Sequence, residues 1–156
     1  MRRMSGRSRD PLVRALVSAL DARRVQTGDG ARRLYSRDAS VMRGGRAGVV
    51  CFPETTEEVS ACVVAAIAHG RDFVARGAGT GLAGGAVPCD EPVMVVLTRM
   101  DRILEVDVSR RLAWVEPGVV NLDLSRHLAG TGLHFAPDPS SQQSCTIGGN
   151  VANNSG

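Results

Sequence analysis

The sequence contains no lysine; all 19 basic residues are arginine. A P-loop needs a lysine after its glycines, so that nucleotide site is excluded. Aromatic residues make up only 3% of the chain, and a surface that stacks nucleic-acid bases needs more. The four cysteines, Cys51, Cys62, Cys89 and Cys145, form no C-x-x-C pair, and no His stands at finger spacing. A zinc site is therefore not expected. The apolar runs, such as Val93 to Leu97, are far too short to cross a bilayer. Arg14 interrupts the first apolar stretch, Leu12 to Leu20, which argues against an export signal.

Charge is uneven along the chain. Residues 1–47 carry 12 Arg against 4 Asp, whereas residues 48–156 carry 7 Arg against 12 acidic groups. The basic character belongs to an N-terminal arm, read as a solvated terminus. A nucleic-acid-binding module built on that arm is the alternative, but the arm offers neither aromatics nor a base-reading helix. No nucleic-acid partner is expected.

Asp10-Pro11 reads as an N-cap followed by proline at the first helical position, opening a helix to about Arg24 with Leu12, Leu16, Ala19 and Leu20 on one side. Residues 26–48 have no period and read as an irregular lead-in over the surface. Val49–Phe52 is a short strand stopped by Pro53. Thr55 and Glu58 form a capping box. The helix that follows places Val59, Cys62, Val63, Ala66 and Ile67 on one face and ends at Gly70. Asp72–Arg76 is the next strand, so a β-α-β unit with a parallel pair is expected. Strands at Val93–Thr98, Ile103–Asp107 and Leu112–Glu116 suggest an antiparallel meander. Asn121 is placed to cap a short helix over 122–129. The fold class is α+β: an N-terminal helix, a β-α-β unit with a Gly-rich loop, then the meander. Two segments follow from this division, a basic lead-in over 1–47 and a main body over 48–156.

Two segments carry chemistry. In the first, Arg76-Gly77-Ala78-Gly79-Thr80-Gly81-Leu82-Ala83-Gly84-Gly85-Ala86 directly follows a strand. Five glycines in nine positions let backbone N–H groups converge on one concavity, a nest for phosphate oxygens. Thr80 can add a hydroxyl, and Arg76 can add charge or brace the loop. Gly79-x-Gly81-x-x-Gly84 also matches the Rossmann pattern. That motif needs a helix opening at the glycines. Only Gly85–Pro92, with two prolines, precede the next strand, so the NAD-binding alternative is disfavoured. In the second segment, Pro137-Asp138-Pro139 forms a rigid turn leading to Ser144, Thr146, Gly148, Gly149 and Asn150. Gly148-Gly149 permits close backbone approach, and Asn150 can both donate and accept.

Taken in order, Pro53-x-Thr55-x-Glu57-Glu58-Val59, the glycine loop, Arg102–Asp107, Val115–Val119 and Ala136–Val151 resemble the PCMH-type FAD-binding domain. Vanillyl-alcohol oxidases and D-lactate dehydrogenases share it, as does the FAD-containing subunit of glycolate oxidase. The resemblance covers Val49 to Gly156. It implies FAD, with Gly77–Gly81 giving backbone donors to the pyrophosphate and Gly84 and Gly85 continuing the cradle. It implies that Pro137, Asp138, Ser144, Thr146, Gly148, Gly149 and Asn150 line the side near the ribityl chain and flavin ring. Some relatives carry a flavin-linking His where Thr80 stands, so noncovalent FAD is implied. The implied reaction is oxidation of a D-2-hydroxy acid, glycolate or D-lactate in type, with a partner subunit or quinone taking the electrons. The implied location is the cytoplasm or, through partner subunits, the inner face of the membrane. In the family the domain continues past the Gly-Gly-Asn segment into a cap domain that binds substrate. The chain is thus expected to be a partial FAD domain, inactive alone, with no catalytic residue assignable. His69, His127 and His134 are expected to be structural.

Overall fold

The computed structural model describes residues 10–155; Gly156 and the arm arginines Arg2, Arg3, Arg7 and Arg9 lie outside them. Helix α1 (Pro11–Leu20) opens as expected, with the Asp10 carboxylate accepting from the Leu12 N–H at 2.9 Å. It ends at Leu20, four residues early, because Asp21 turns to φ 103°. Leu12, Leu16 and Leu20 are buried.

Residues 26–48 are more ordered than their composition suggests. Strand β1 (Val25–Gln26) pairs antiparallel with β2 (Val49–Cys51), and α2 (Asp29–Leu34) follows β1. The buried residue of α2 is Arg32, 1% exposed. Its guanidinium donates to the Ala47 carbonyl and to Glu91, the pairing a buried cation requires. Gly44 and Gly48 then run against the backbone of residues 88–92, where a Cβ would fall 2.4 Å from the Pro88 carbonyl and 2.1 Å from that of Glu91.

Helix α3 (Thr56–Ala68) is capped by the Thr55 hydroxyl, which accepts from the Glu58 N–H at 3.2 Å. The Glu58 carboxylate reaches back to the Glu54 N–H, 2.7 Å, and takes both arms of Arg24 at 2.6 Å. Cys62 and Ala66 are buried, but Ile67 is 65% exposed and does not belong to the core face. Cys51 and Cys62 are both buried free thiols, and the hydrogen bond with Cys62, together with burial, pushes the Cys51 thiol up.

Strand β3 (Phe73–Arg76) is parallel to β2, as expected, but not beside it. Strand β4 (Val93–Val96) lies between them, giving the order β1-β2-β4-β3 with β2, β4 and β3 parallel. The first strand of the expected meander is thus the centre of the parallel sheet. All four β4 residues are buried, as a central parallel strand demands. Val93 and Val95 pack toward the cluster of α1 and α3; Met94 and Val96 pack toward Phe52 and Tyr35 on the other face.

A 3₁₀ turn (Leu97–Arg99) leads to β5 (Ile103–Asp107) and β6 (Leu112–Val115), a separate antiparallel hairpin. Helix α4 (Asn121–His127) and α5 (Ile147–Asn153) close a second core of Val119, Leu124, Leu128 and Ile147. Asn121 is the first helical residue rather than the cap; its side chain donates instead to the Pro137 carbonyl at 3.1 Å. Among the described residues no helix is long and apolar enough to cross a membrane.

Leu16 is fully buried against α3, so Leu16→Ala should cost about 2–5 kcal/mol in denaturant unfolding. A change under about 1 kcal/mol would mean that α1 is not part of the core. Arg24, chiefly through its hydrogen bonds, holds the Glu58 carboxyl below the usual range. A depressed carboxyl stabilises the fold above the ordinary glutamate value of about 4.3, and that stability is lost as pH falls through the folded value. Acid unfolding followed by circular dichroism should show Glu58→Gln less stable than wild type at pH 7, with the difference shrinking toward acid pH.

Candidate cofactor site

The glycine loop leaves β3 at Arg76 and returns to β4 at Val93. Residues 77–92 contain no helix, so the Rossmann arrangement is absent. Parallel neighbours joined this way force the loop out at the carboxyl end of the strands, where ligands of α/β sheets bind.

The structure joins this loop to the second segment at Thr146. A Cβ at Gly77 would lie 2.3 Å from the Thr146 hydroxyl oxygen, so only glycine fits there. Thr146 is fixed by its backbone through a bridge with Val120, and the Ile147 N–H donates to Val119 at 2.8 Å. A Cβ at Gly81 would lie 3.8–3.9 Å from the Asn153 side-chain amide. The stretch 147–153, given no element above, is helix α5, and Gly148 and Gly149 lie in its first turn. Gly148 is required by packing, since a Cβ would meet Pro117 at 2.7 Å. A Cβ at Gly149 would meet only the Thr146 hydroxyl, at 3.4 Å.

Two polar atoms at this junction are buried and unpartnered: Thr146 Oγ1 and Asn150 Oδ1. A hydroxyl that can donate and an amide oxygen that can accept, beside a backbone without Cβ, suit a phosphate with a neighbouring hydroxyl or ring N–H. The donor set therefore fits a dinucleotide diphosphate and what is attached to it.

The other candidates are distributed as follows. Arg76 is 8% exposed beneath the loop. Burial, above all, lowers its pKa. Gly79 takes φ +76°, and a Cβ there would lie 2.0 Å from the Arg76 guanidinium. Ala78 and Gly85 are exposed, and Thr80 is half-buried. Gly84, at φ +75°, faces Met42 and Ser40 rather than the second segment. Pro137, Asp138 and Ser144 belong to a turn anchored on α4, through Asn121 to Pro137 and the Leu122 N–H to Gln142; the contacts that tie the glycine loop to Thr146 do not involve them. His69, an exposed residue, bonds its own helix at the Ala65 carbonyl, 2.8 Å. Among the described residues no cluster of His, Cys, Asp and Glu could hold a metal.

Sequence reasoning missed the segment from Tyr35 to Met42, which backs the loop. The Ala39 N–H donates to the Gly79 carbonyl at 2.9 Å. Asp38 accepts from the Ser40 N–H at 2.9 Å. Burial opposes ionisation of Asp38, but hydrogen bonds from Ser40 and the Ala86 N–H, with the Arg76 charge, hold its carboxyl below the usual range. The Asp38-x-Ser40 turn signature was the available signal.

Residues 47–156 match the profile of a family described as FAD binding domain. The chain is 45% identical over 108 residues to glycolate oxidase subunit GlcD of Escherichia coli strain K12, covering 69% of this chain and 22% of that protein. It is 36% identical to D-lactate dehydrogenase of Anaerostipes hadrus, covering 86% and 28%. It is 32% identical to D-2-hydroxyglutarate dehydrogenase of Stutzerimonas stutzeri strain A1501, covering 94% and 32%. The chain thus spans between about a fifth and a third of the curated relatives it matches. A solved alkyldihydroxyacetonephosphate synthase superposes with a TM-score of 0.82 at 23% identity, covering 94% of this chain and 30% of that one, a likeness of fold alone.

Gly77→Ala should destabilise the chain by about 1–3 kcal/mol, the cost of overpacking. Adding Thr146→Ala should restore most of it, because the clashing oxygen is gone. Gly85→Ala, with nothing within 4 Å, should stay within about 0.5 kcal/mol of wild type. Additive losses in the Gly77 and Thr146 cycle, read by thermal unfolding, would contradict the apposition.

Proposed function

The chain belongs to the FAD binding domain family, and from that premise we propose that it supplies the diphosphate-gripping part of a D-2-hydroxy-acid oxidoreductase. FAD is the cofactor and the protein kind is a flavin-dependent oxidoreductase. The observation that carries the proposal is the apposition of Gly77 and Thr146, which brings two glycine-bearing segments to one junction with unpartnered buried polar atoms.

In this reading the N–H groups of Gly77 to Gly81 grip the diphosphate, with Gly84 and Gly85 extending the cradle. The Thr146 hydroxyl donates across the junction, and Asn150 offers its amide to the ribityl chain or ring edge. Pro137, Asp138 and Ser144 form the outer wall. Gly148 seats α5 against Pro117 and so aims Asn150. With Thr80 where a linking histidine would stand, the cofactor is held noncovalently. When bound, FAD supplies acceptance of a hydride from the α-carbon of a 2-hydroxy acid. The protein's share here is to bind and orient, and to exclude water from the diphosphate. The cradle belongs to residues 48–156, with 10–47 as its support. This reading assigns the chain neither substrate-binding groups nor a base, and so no turnover of its own. Relatives named for glycolate, D-lactate and D-2-hydroxyglutarate support the substrate class. A relative named as a subunit supports a multi-subunit enzyme; in this reading a partner subunit or a quinone takes the electrons, in the cytoplasm or at the inner membrane face.

The test is an FAD titration by fluorescence quenching and visible absorbance. It is run on the chain alone and on the chain joined to the remaining C-terminal part of a glycolate oxidase relative. Binding in the completed form that weakens at least about tenfold in Gly77→Ala is expected. All of the flavin should leave on acid precipitation, and glycolate or D-lactate should bleach the visible band. Absence of binding in both forms would overturn the assignment, and flavin remaining with the precipitate would overturn the noncovalent one.

A further inference from the structure

The glycine loop has its own clamp, and most of it precedes the family match, which begins at residue 47. The loop's phosphate-facing side must be shaped by whatever holds its other side. Four contacts do so. The Ala39 N–H donates to the Gly79 carbonyl at 2.9 Å. Arg76 Nη1 donates to the Arg37 carbonyl at 2.8 Å. The Arg76 guanidinium lies 5.3 Å from the Tyr35 ring centroid, a cation–π distance. At the far end of the loop, a Cβ at Gly84 would lie 2.9 Å from the Met42 side chain.

We propose that Arg76 is a positioning residue that pins the glycine loop to residues 35–42, and that this segment is a functional part of the FAD site. The pin works through geometry. The guanidinium is caught between Tyr35 and Gly79, and it can approach Gly79 so closely only because that residue lacks a Cβ. Its planar fork reaches the Arg37 carbonyl while its face covers the ring, which an ammonium on a flexible stem cannot do. Arg76 Nε is buried without a partner, so direct contact with the cofactor is the competing role, and the two differ in what substitutions do.

The inference rests on the FAD reading, so the test has two arms. The first measures amide hydrogen exchange in the chain without FAD. Tyr35→Leu and Arg76→Lys should each speed exchange at Ala39 and across 77–86 by roughly tenfold, while the amides of β2 and β4 keep their wild-type protection. The second measures FAD affinity in the form that binds it. Both variants should weaken binding by a similar factor, the double variant should be no worse than either, and Tyr35→Phe, which keeps a ring under the guanidinium, should bind as wild type. Retained affinity in Arg76→Lys, or lost affinity with unchanged exchange over 77–86, would overturn the pin in favour of a charge contact with phosphate. Independent losses in the double variant would overturn it as well. If FAD fails to bind any form while exchange responds as described, the FAD reading falls and the pin stands.

Discussion

Two parallel strands, β3 and β4, lie side by side with no helix between them, and much else follows from that constraint. The chain must travel back along the sheet before it can enter β4, and it does so as the glycine loop. A helix would have filled that return and covered the strand ends with side chains. A loop instead offers backbone N–H groups, and its glycines let the Thr146 hydroxyl and the Arg76 guanidinium come within distances that any side chain would forbid. The second core of β5, β6, α4 and α5 is joined to the sheet tightly. Gly118 packs on the Leu97 and Met100 carbonyls, with its N–H donating to Met100 at 2.7 Å. Thr146 is therefore held by backbone on one side and met by the loop on the other.

Much of this was legible in residues. The Asp10 cap and leucine stripe of α1, the Thr55 cap of α3, the strands and the glycine loop all rest on local signals. What was not legible depended on partners distant in sequence. Helix α2 has no apolar stripe because its anchor is an arginine, and Arg32 declares itself as core only once Glu91 and the Ala47 carbonyl are beside it. Helix α5 contains two glycines and two asparagines, poor helix formers, and is carried by its packing on Pro117 and the bridge at Thr146. The strand order was hidden because periodicity reports which face of a strand is buried and says nothing of its neighbours.

The candidate site was legible to a similar extent. The glycine loop and Thr146 segment were identified as residues, and their apposition came from the fold. The segment from Tyr35 to Met42 was read as irregular because its bonds are to the loop rather than to itself. Arg76 was left with two readings, charge or brace, and its burial under Gly79 beside Tyr35 is what favours the second.

The placement of β4 has a consequence for how the chain is made. Its four residues sit at the middle of the sheet yet come last of the sheet's strands in sequence. A chain emerging from the ribosome therefore carries β2 and β3 through more than a dozen further residues with their inner edges bare. The glycine loop, the candidate ligand segment, is translated inside that interval. Vectorial synthesis thus delays sheet closure until the loop is already out, and unpaired strand edges are what holding chaperones and premature self-association compete for.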